Sequence, residues 1–332
     1  MADVGISSGR HFSANDGESI LDAALRQHIV LEYGCRTGRC GTCRARLRTG
    51  STVALHDELG LSPAERASGW ILTCVRKATS NVALDVDDLT GVTVHPARTV
   101  PCRIHALQPL SVDVMRATLR LPPGTVFSYH PGQYIDVIGH GGVRRSYSIA
   151  NAPAAAGLLE LHIRKIGSGA MSDYWFGKAA VNDLLRLRGP LGTCFLRDVA
   201  GQDLIFLATG TGIAPIKAML EGLSASDPAE RPRSIVLYWG GRVPQDLYWN
   251  ARSIGMDCGF VPVLSRAEKD WDGLRGHVQD AALDAQPDMR RTLVYACGSD
   301  AMIRSARRRF IAAGLPERNY RSDAFVSSGE AA

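Results

Sequence analysis

Four of the eight cysteines stand at a spacing that restricts the fold more than any other feature of the chain. Cys35, Cys40 and Cys43 form the pattern C-x4-C-x2-C, and Cys74 follows in a separate apolar segment. Glycines surround the first three cysteines, so the backbone there can wrap closely around an object and direct three thiols at it. This spacing is typical of the ligands of a [2Fe–2S] cluster, whose fourth thiolate comes from elsewhere in the chain.

Two alternatives to the cluster remain open from the residues alone. One is a four-cysteine zinc site, but zinc sites usually contain two C-x2–4-C pairs, and here the second pair is missing. The other is that the four cysteines bind nothing. The spacing and the glycines favour the iron–sulfur cluster over both.

The segments CRTGRCGTC and GWILTC resemble the plant-type ferredoxins. The resemblance implies a β-grasp fold and one-electron transfer for residues 1–92. Apolar residues in GESILDAALRQH predict one short helix, and CRARLRTG predicts a strand. The composition of residues 93–99 predicts a linker after this domain.

Residues 100–200 contain short strand-like runs between turn signals, which predict an antiparallel β-barrel. Within it, the RSYS segment with Arg145, Tyr147 and Ser148 resembles the R-x-Y-S flavin motif of the ferredoxin–NADP reductase superfamily. The segment GAMS resembles the superfamily's second flavin motif, and GPLG follows downstream. The cofactor implied is FAD, and its expected ligands in the second motif are Gly169, Met171 and Ser172.

Residues 201–332 change to apolar runs that alternate with helix-like segments, which predicts a doubly wound parallel sheet. LIFLATGTGIAP departs from the ordinary dinucleotide fingerprint, because Pro215 stands where Gly or Ala is expected. No acidic residue ends the next strand-like run, IVLYWGGR. The segment resembles instead the GTGIAP motif of the reductase superfamily, which implies that Gly210, Thr211, Gly212 and Pro215 bind the nicotinamide dinucleotide.

Two further segments carry candidate catalytic residues by the same resemblance. Cys297 and Gly298 resemble the CG motif that places a cysteine beside the nicotinamide; the alternative is a small buried apolar residue. Near the chain end, Phe325 resembles the aromatic residue that covers one flavin face. Asp323 stands where many relatives carry a glutamate. With Ser148, these residues form the predicted catalytic set; core packing or a mobile tail is the alternative for Asp323 and Phe325.

The fold class predicted is therefore multidomain: a β-grasp ferredoxin, an antiparallel FAD barrel and a doubly wound nucleotide domain. The order resembles the reductase components of bacterial oxygenases, and the segments at both ends resemble the CDP-6-deoxyhexulose dehydrase reductases. The function implied is transfer of electrons from NADH, with NADPH as the less favoured donor, through FAD to the cluster and on to an oxygenase or deoxysugar dehydrase. The alternative is a redox-responsive interaction protein without steady turnover.

Composition restricts the partners and the location. The net charge of +5 is too small to argue for nucleic acid. No apolar run is long enough for a membrane span, and no secretory signal is recognisable, so a cytoplasmic location is expected. Five arginines near the cysteines, with no acidic residue from 33 to 56, predict a partner with an acidic docking face; the alternative is that they form internal salt bridges or simply solvate a strand face. These arginines are Arg36, Arg39, Arg44, Arg46 and Arg48.

Overall fold

The computed structural model describes residues 1–154, 157–167 and 169–326. The chain divides into two compact units, Met1–Val94 and His95–Ala332. In the parts of the chain that are described, no helix has the length and apolar character needed to cross a membrane.

The first unit is a mixed β-sheet with one helix packed on it. Its strands are β1 (Ala2–Gly5), β2 (His11–Ala14), β3 (Arg44–Thr49), β4 (Thr52–Ala54), β5 (Trp70–Leu72), β6 (Arg76–Ala78) and β7 (Val82–Asp85). Its helices are α1 (Ile20–Arg26) and α2 (Pro63–Ala67). The main sheet has the order β2-β1-β7-β3-β5, in which only β1 and β7 run parallel, and β4 pairs with β6.

The predicted helix and strand of this unit are confirmed. The Ser19 hydroxyl accepts from the Asp22 amide and caps α1. The apolar face of α1, which includes Ile20 and Leu21, is buried in the core of the sheet. This arrangement is the β-grasp fold.

The first half of the second unit is an antiparallel barrel. Its strands are β8 (Arg98–Ser111), β9 (Val114–Arg120), β10 (Tyr134–Ile138), β11 (Arg144–Ser148), β12 (Leu158–Arg164) and β13 (Leu184–Leu191). They follow the order β11-β10-β13-β8-β9-β12, and a bridge between Ile149 and Leu161 joins the two edges. Helix α3 (Ala170–Asp173) continues as a π-helical turn over Tyr174–Lys178. The predicted barrel is confirmed.

The second half is a fully parallel sheet. Its strands are β14 (Asp203–Thr209), β15 (Ser234–Gly241), β16 (Gly259–Leu264), β17 (Leu274–Arg275), β18 (Thr292–Ser299) and β19 (Tyr320–Phe325), in the order β17-β16-β15-β14-β18-β19. Helices α4 (Ile213–Ala225), α5 (Val278–Asp284) and α6 (Asp300–Ala312) pack on it. The strand order reverses between β14 and β18, and ligands of such sheets bind at the carboxyl ends near this reversal.

Two details of the parallel sheet differ from the sequence prediction. A helix was expected after every apolar run, but β15 is followed by the 3-10 turns Pro244–Asp246 and Ala251–Ile254. Gly255, in the left-handed region, ends the second turn and stops a longer helix. The sequence analysis also assigned no strand to β19, which pairs along β18 and so brings the chain end to the carboxyl edge of the sheet.

Candidate functional site

The four predicted metal ligands lie as two close pairs of thiols. The Cys43 thiol is 3.1 Å from the Cys74 sulfur and is hydrogen-bonded to it. The Cys35 and Cys40 thiols are also hydrogen-bonded to each other. Hydrogen bonds from Cys40 and Thr37 lower the pKa of Cys35 to about 5, although burial opposes the shift. The fold thus brings together side chains that lie up to 31 positions apart (Cys43 and Cys74).

Backbone amides of the cysteine loop point at the sulfurs. The amides of Thr37 and Cys40 each lie 3.4 Å from the Cys35 sulfur, and the Cys35 amide lies 3.4 Å from the Cys40 sulfur. Such bonds stabilise negative charge on sulfur and influence the potential of a metal centre. The loop is therefore built to hold thiolates.

The arrangement of the thiols tests which metal group they fit. In a [2Fe–2S] cluster four cysteines serve two irons, so two separate pairs are required. A zinc ion needs its ligands around one point. Within 1–154, 157–167 and 169–326, no set of three or more His, Cys, Asp or Glu side chains is gathered for a single ion. The two pairs of thiols fit the two-iron cluster, and the chain lacks the second C-x2–4-C pair that zinc sites usually contain.

Residues 57–60, here called the strap, hold the cysteine loop in place. The Gly60 amide donates to the Gly38 carbonyl at 2.7 Å. A Cβ on Gly38 would lie 2.4 Å from the Asp57 carbonyl oxygen, and one on Gly41 would lie 2.9 Å from the Gly60 oxygen. Both loop glycines also have φ above +70°, so contact and conformation each require glycine there.

Glu58 of the strap is a buried residue that the sequence analysis missed. Its carboxylate accepts from the Leu72 amide at 2.8 Å and from the Arg76 guanidinium at 2.9 and 2.7 Å. Its side chain is 3% exposed. Because Leu72 ends the strand just before Cys74, Glu58 ties the strap to the segment that supplies the fourth thiol.

Three of the five arginines near the cysteines form salt bridges inside the first unit, as the alternative to a docking role supposed. Arg36 pairs with Asp22, Arg44 with Glu65 and Arg48 with Asp85. Arg44 also lies over the Trp70 ring, 5.1 Å from its centroid. Arg46 is exposed on β3. The acids lie far away in sequence, which is why the stretch from 33 to 56 looked unbalanced.

In the barrel, Tyr147 is fixed by Trp175. The indole Nε1 donates to the tyrosine hydroxyl at 3.1 Å, and the rings meet edge to face at 6.2 Å. Burial raises the pKa of Tyr147 to about 12, so its hydroxyl stays protonated. Arg145 is exposed two positions before Tyr147 on the same strand, and its guanidinium donates to the Arg144 carbonyl at 2.8 Å. It is available for a diphosphate.

The second flavin motif contributes backbone more than side chains. A Cβ on Gly169 would meet nothing within 4 Å, so the space beside it is open. The Met171 side chain is buried in the barrel core, and the Ser172 hydroxyl accepts from the Ile166 amide at 3.0 Å. Met171 and Ser172 therefore shape the turn, while Gly169 leaves room for a ligand.

Ser148, Asp323 and Cys297 lie together, although they come from different strands. The Ser148 hydroxyl donates to the Asp323 carboxylate at 3.3 Å. Asp323 and Cys297 are partners in the β18–β19 register, and the Asp323 amide hydrogen-bonds the Cys297 sulfur. Cys297 is fully buried, and a hydrogen bond with the Cys194 thiol, with burial, raises its pKa well above the usual range. Its thiol stays protonated.

The glycine loop packs directly on the segment after Cys297. A Cβ on Gly212 would lie 2.1 Å from the Cys297 carbonyl oxygen. A Cβ on Gly298, whose φ is +131°, would lie 2.3 Å from the Thr209 hydroxyl. Gly210 also has a positive φ, whereas Thr211 is buried in the 3-10 turn before α4 and Pro215 is buried in the first turn of α4. The two predicted nucleotide motifs therefore form one surface at the carboxyl edge.

Phe325 lies opposite Ser299 in the β18–β19 register and is 38% exposed. The structure therefore leaves Phe325 exposed two positions beyond Asp323.

A cleft of about 650 Å³ opens along this edge. Gly210, Gly241, Ser265 and Ser299 contribute to it from four strand ends. Asp246 also lines it, because the turn Pro244–Asp246 folds back and its carboxylate accepts from the Arg242 amide at 2.8 Å. The sequence analysis found no acidic residue at this strand end; the turn returns one to it. In the sequence, the sign of this contact was that Asp246 stands four residues after Arg242.

Sequence comparisons agree with this geometry. Profiles of three families match: the 2Fe-2S iron-sulfur cluster binding domain at residues 5–79, the oxidoreductase FAD-binding domain at 101–195 and the oxidoreductase NAD-binding domain at 206–308. The chain is 40% identical to CDP-6-deoxy-L-threo-D-glycero-4-hexulose-3-dehydrase reductase of Yersinia pestis, covering 97% of each chain. It is 30% identical to the ferredoxin–NAD(P)(+) reductase component of the naphthalene 1,2-dioxygenase/salicylate 5-hydroxylase systems of a Ralstonia species, covering 96% of this chain and 97% of that one.

A solved structure shares the whole architecture. The Amycolatopsis cytochrome P450 reductase GcoB has a TM-score of 0.77 and 28% sequence identity, and the match covers 98% of this chain and 99% of that one. The three regions therefore occur in the same order in a protein of known structure.

Proposed function

Because the chain belongs to the family of iron–sulfur flavoprotein reductases that includes dehydrase reductases and oxygenase reductase components, we propose that it carries electrons from NADH to a partner enzyme. It is an oxidoreductase with FAD, NAD(P)H and a [2Fe–2S] cluster as its cofactors. The observation that carries the proposal is that two pairs of cysteine thiols occur in the same chain as an antiparallel barrel and a parallel nucleotide-type sheet.

This combination has one chemical purpose. When bound, FAD accepts the two electrons that a nicotinamide gives together and releases them one at a time, as a [2Fe–2S] cluster requires. A chain without the cluster would need only the last two regions. The thiol pairs therefore indicate delivery to a one-electron acceptor.

The site residues receive the following proposed roles. Arg145 and the open backbone at Gly169 hold the flavin diphosphate, and Tyr147, oriented by Trp175, packs along the flavin ring. Ser148 and Asp323 orient the reacting ring edge through their hydrogen bond. The protonated Cys297 supports Asp323 through the hydrogen bond between its sulfur and the Asp323 amide, and Phe325 would cover the flavin face.

The remaining assignments follow the motifs. Cys35, Cys40, Cys43 and Cys74 bind the cluster. Gly210, Gly212 and Gly298 shape the nucleotide surface, which Thr211 and Pro215 support, while Met171 and Ser172 support the flavin site. We propose domain limits of 1–92, 100–200 and 201–332.

The proposed partner is a deoxysugar dehydrase or an oxygenase component, in the cytoplasm. The 40% identity to a dehydrase reductase, against 30% to an oxygenase reductase, favours the dehydrase. Because Arg36, Arg44 and Arg48 are engaged internally, any acidic docking face of the partner would meet chiefly Arg46 and its surroundings.

The experiment is cofactor analysis combined with two activity assays on the full-length protein. We expect one FAD, two irons and two acid-labile sulfides per chain, and steady NADH-dependent reduction of both ferricyanide and cytochrome c. Stoichiometric zinc without sulfide would contradict the cluster. A cofactor-loaded protein that is reduced once by NADH but does not turn over would favour the redox-responsive interaction protein instead.

A further inference from the structure

A row of largely buried side chains joins the barrel to the parallel sheet. The Lys217 ammonium of α4 lies 3.2 Å from the Glu160 carboxylate on β12. His162, also on β12, lies 2.8 Å from Glu160 through Nε2 and 3.1 Å from the Tyr248 hydroxyl through Nδ1. The Tyr248 ring meets the Trp239 ring of β15 edge to face at 5.2 Å. These five residues are here called the polar link.

Each end of the polar link is bonded to the backbone of a different cofactor motif. At one end, the Trp239 indole donates to the Gly210 carbonyl of the glycine loop at 3.0 Å. At the other end, the Lys217 ammonium donates to the Ala150 carbonyl at 2.9 Å. Ala150 stands two positions after Ser148 of the flavin motif. The polar link therefore connects the two segments that must meet when a nicotinamide reduces a flavin.

Helix α4 holds the flavin segment at a second point. The Glu221 carboxylate accepts from the Ala152 amide at 2.9 Å and from Lys217 at 2.6 Å. Because α4 begins directly after the glycine loop, a shift of this helix would move the glycine loop against the chain that follows Ser148.

The protonation states fix the direction of each hydrogen bond in the polar link. Burial raises the pKa of Glu160, but hydrogen bonds and charge from His162 and Lys217 outweigh it and lower that pKa, so the carboxylate only accepts. Burial lowers the pKa of His162, so its neutral ring donates from Nε2 and accepts at Nδ1 from Tyr248. Burial also raises the pKa of Tyr248 well above its usual range, which keeps the donating hydroxyl protonated. The His162 side chain is 2% exposed, so loss of a partner would leave a ring nitrogen unpaired and away from water.

We propose that Tyr248 and Lys217 are positioning residues that, through the polar link, hold the glycine loop and the flavin strand in the alignment that hydride transfer needs. This inference rests on the proposed function and adds to it the residues that align the donor with the acceptor. A buried polar network whose members are all bonded favours one arrangement. Hydride donor and acceptor atoms must lie about 3–3.5 Å apart, and a misplacement of about 1 Å can cost about 100-fold in rate.

The first test is stopped-flow reduction of the flavin in the cofactor-loaded full-length protein, with whichever of NADH and NADPH reduces the wild type faster. It separates the limiting rate from the Kd of the nucleotide. The variants are Tyr248→Phe, which removes only a hydroxyl, and Lys217→Met. The matched control is Tyr320→Phe, which removes a buried hydroxyl that donates to the Ile303 carbonyl at 2.8 Å. We expect both variants to lower the limiting rate about tenfold with FAD content and Kd close to those of wild type, and the control to keep the full rate.

The second test does not use activity. Amide hydrogen exchange, measured without nucleotide, reports local opening of the backbone. We expect Tyr248→Phe to speed exchange both in residues 210–213, near the altered side chain, and in residues 150–152, at the far end of the polar link. Tyr320→Phe should change neither segment.

The outcomes separate this inference from the proposed function. An unchanged limiting rate in Tyr248→Phe, whether or not Kd rises, would overturn the inference, and so would unchanged exchange in residues 150–152. An equal fall of the limiting rate in Tyr320→Phe would also overturn it, because loss of any buried hydroxyl would then have the effect. If Lys217→Met does not retain FAD, the comparison of Tyr248→Phe with Tyr320→Phe decides alone. A cofactor-loaded wild type whose flavin neither nucleotide reduces would instead overturn the proposed function.

Discussion

Replacement of Glu58 by alanine should release the cluster while leaving the flavin active. The change removes the carboxylate that joins the strap to the Leu72 amide and the Arg76 guanidinium. Breaking a buried ion pair by removing one partner costs about 3–5 kcal/mol, a large share of the roughly 5–15 kcal/mol that stabilises a domain. The Glu58 side chain is almost fully buried, so this range applies with little discount.

The assay follows iron, sulfide and cluster absorbance after gel filtration, together with ferricyanide and cytochrome c reduction. We expect Glu58→Ala to lose iron and cytochrome c activity but to retain ferricyanide activity. Glu58→Gln should be milder, because its amide oxygen can still accept from Leu72. The matched control is Asp16→Ala, which removes a solvent-exposed partner of Lys77 and should change nothing. A Glu58→Ala protein with full iron content and unchanged thermal stability would refute the role assigned to the strap.

The remaining predictions concern the cluster that passes electrons to the partner, the docking surface and the flavin face. Cys74→Ser should abolish most cytochrome c reduction and preserve ferricyanide reduction, and equal loss of both would mean that the regions do not act in series. Arg46→Glu should slow delivery to the physiological partner and flatten its salt dependence; Arg44→Glu should instead lower stability, because it breaks the pair with Glu65. Phe325→Ala should tighten nucleotide binding and slow product release, since an aromatic contact of about 0.5–1.5 kcal/mol no longer competes; titration and stopped-flow rates equal to wild type would make Phe325 mere packing.

Features set by local spacing were predictable from the sequence. The cysteine pattern, the barrel strands and the parallel strands depend on neighbours a few positions apart, and the structure contains them. The turn signals around Gly210 and Gly298 also pointed to the edge where the nucleotide motifs meet. In each case the requirement is visible in one short segment.

Features set by distant partners were not predictable in this way. Arg44 looked free because its partner Glu65 lies 21 positions away, and the strap contact of Glu58 joins residues 14 and 18 apart. Asp246 was overlooked because a 3-10 turn, and not the strand itself, returns it to the strand end. These pairings depend on how the chain folds back, which a motif does not encode.

The two thiol pairs differ in how much of the chain must fold to form them. Cys35 and Cys40 are separated by 5 positions and lie in one loop, whereas Cys43 and Cys74 are separated by 31. A short closure costs less chain entropy than a long one, and the second pair also needs β5 in place before Cys74 can reach it. The first iron position can therefore form on a nascent or partly unfolded loop, while the second exists only once the sheet is complete. Formation of the complete four-thiol site therefore depends on β5 as well as on the cysteine loop.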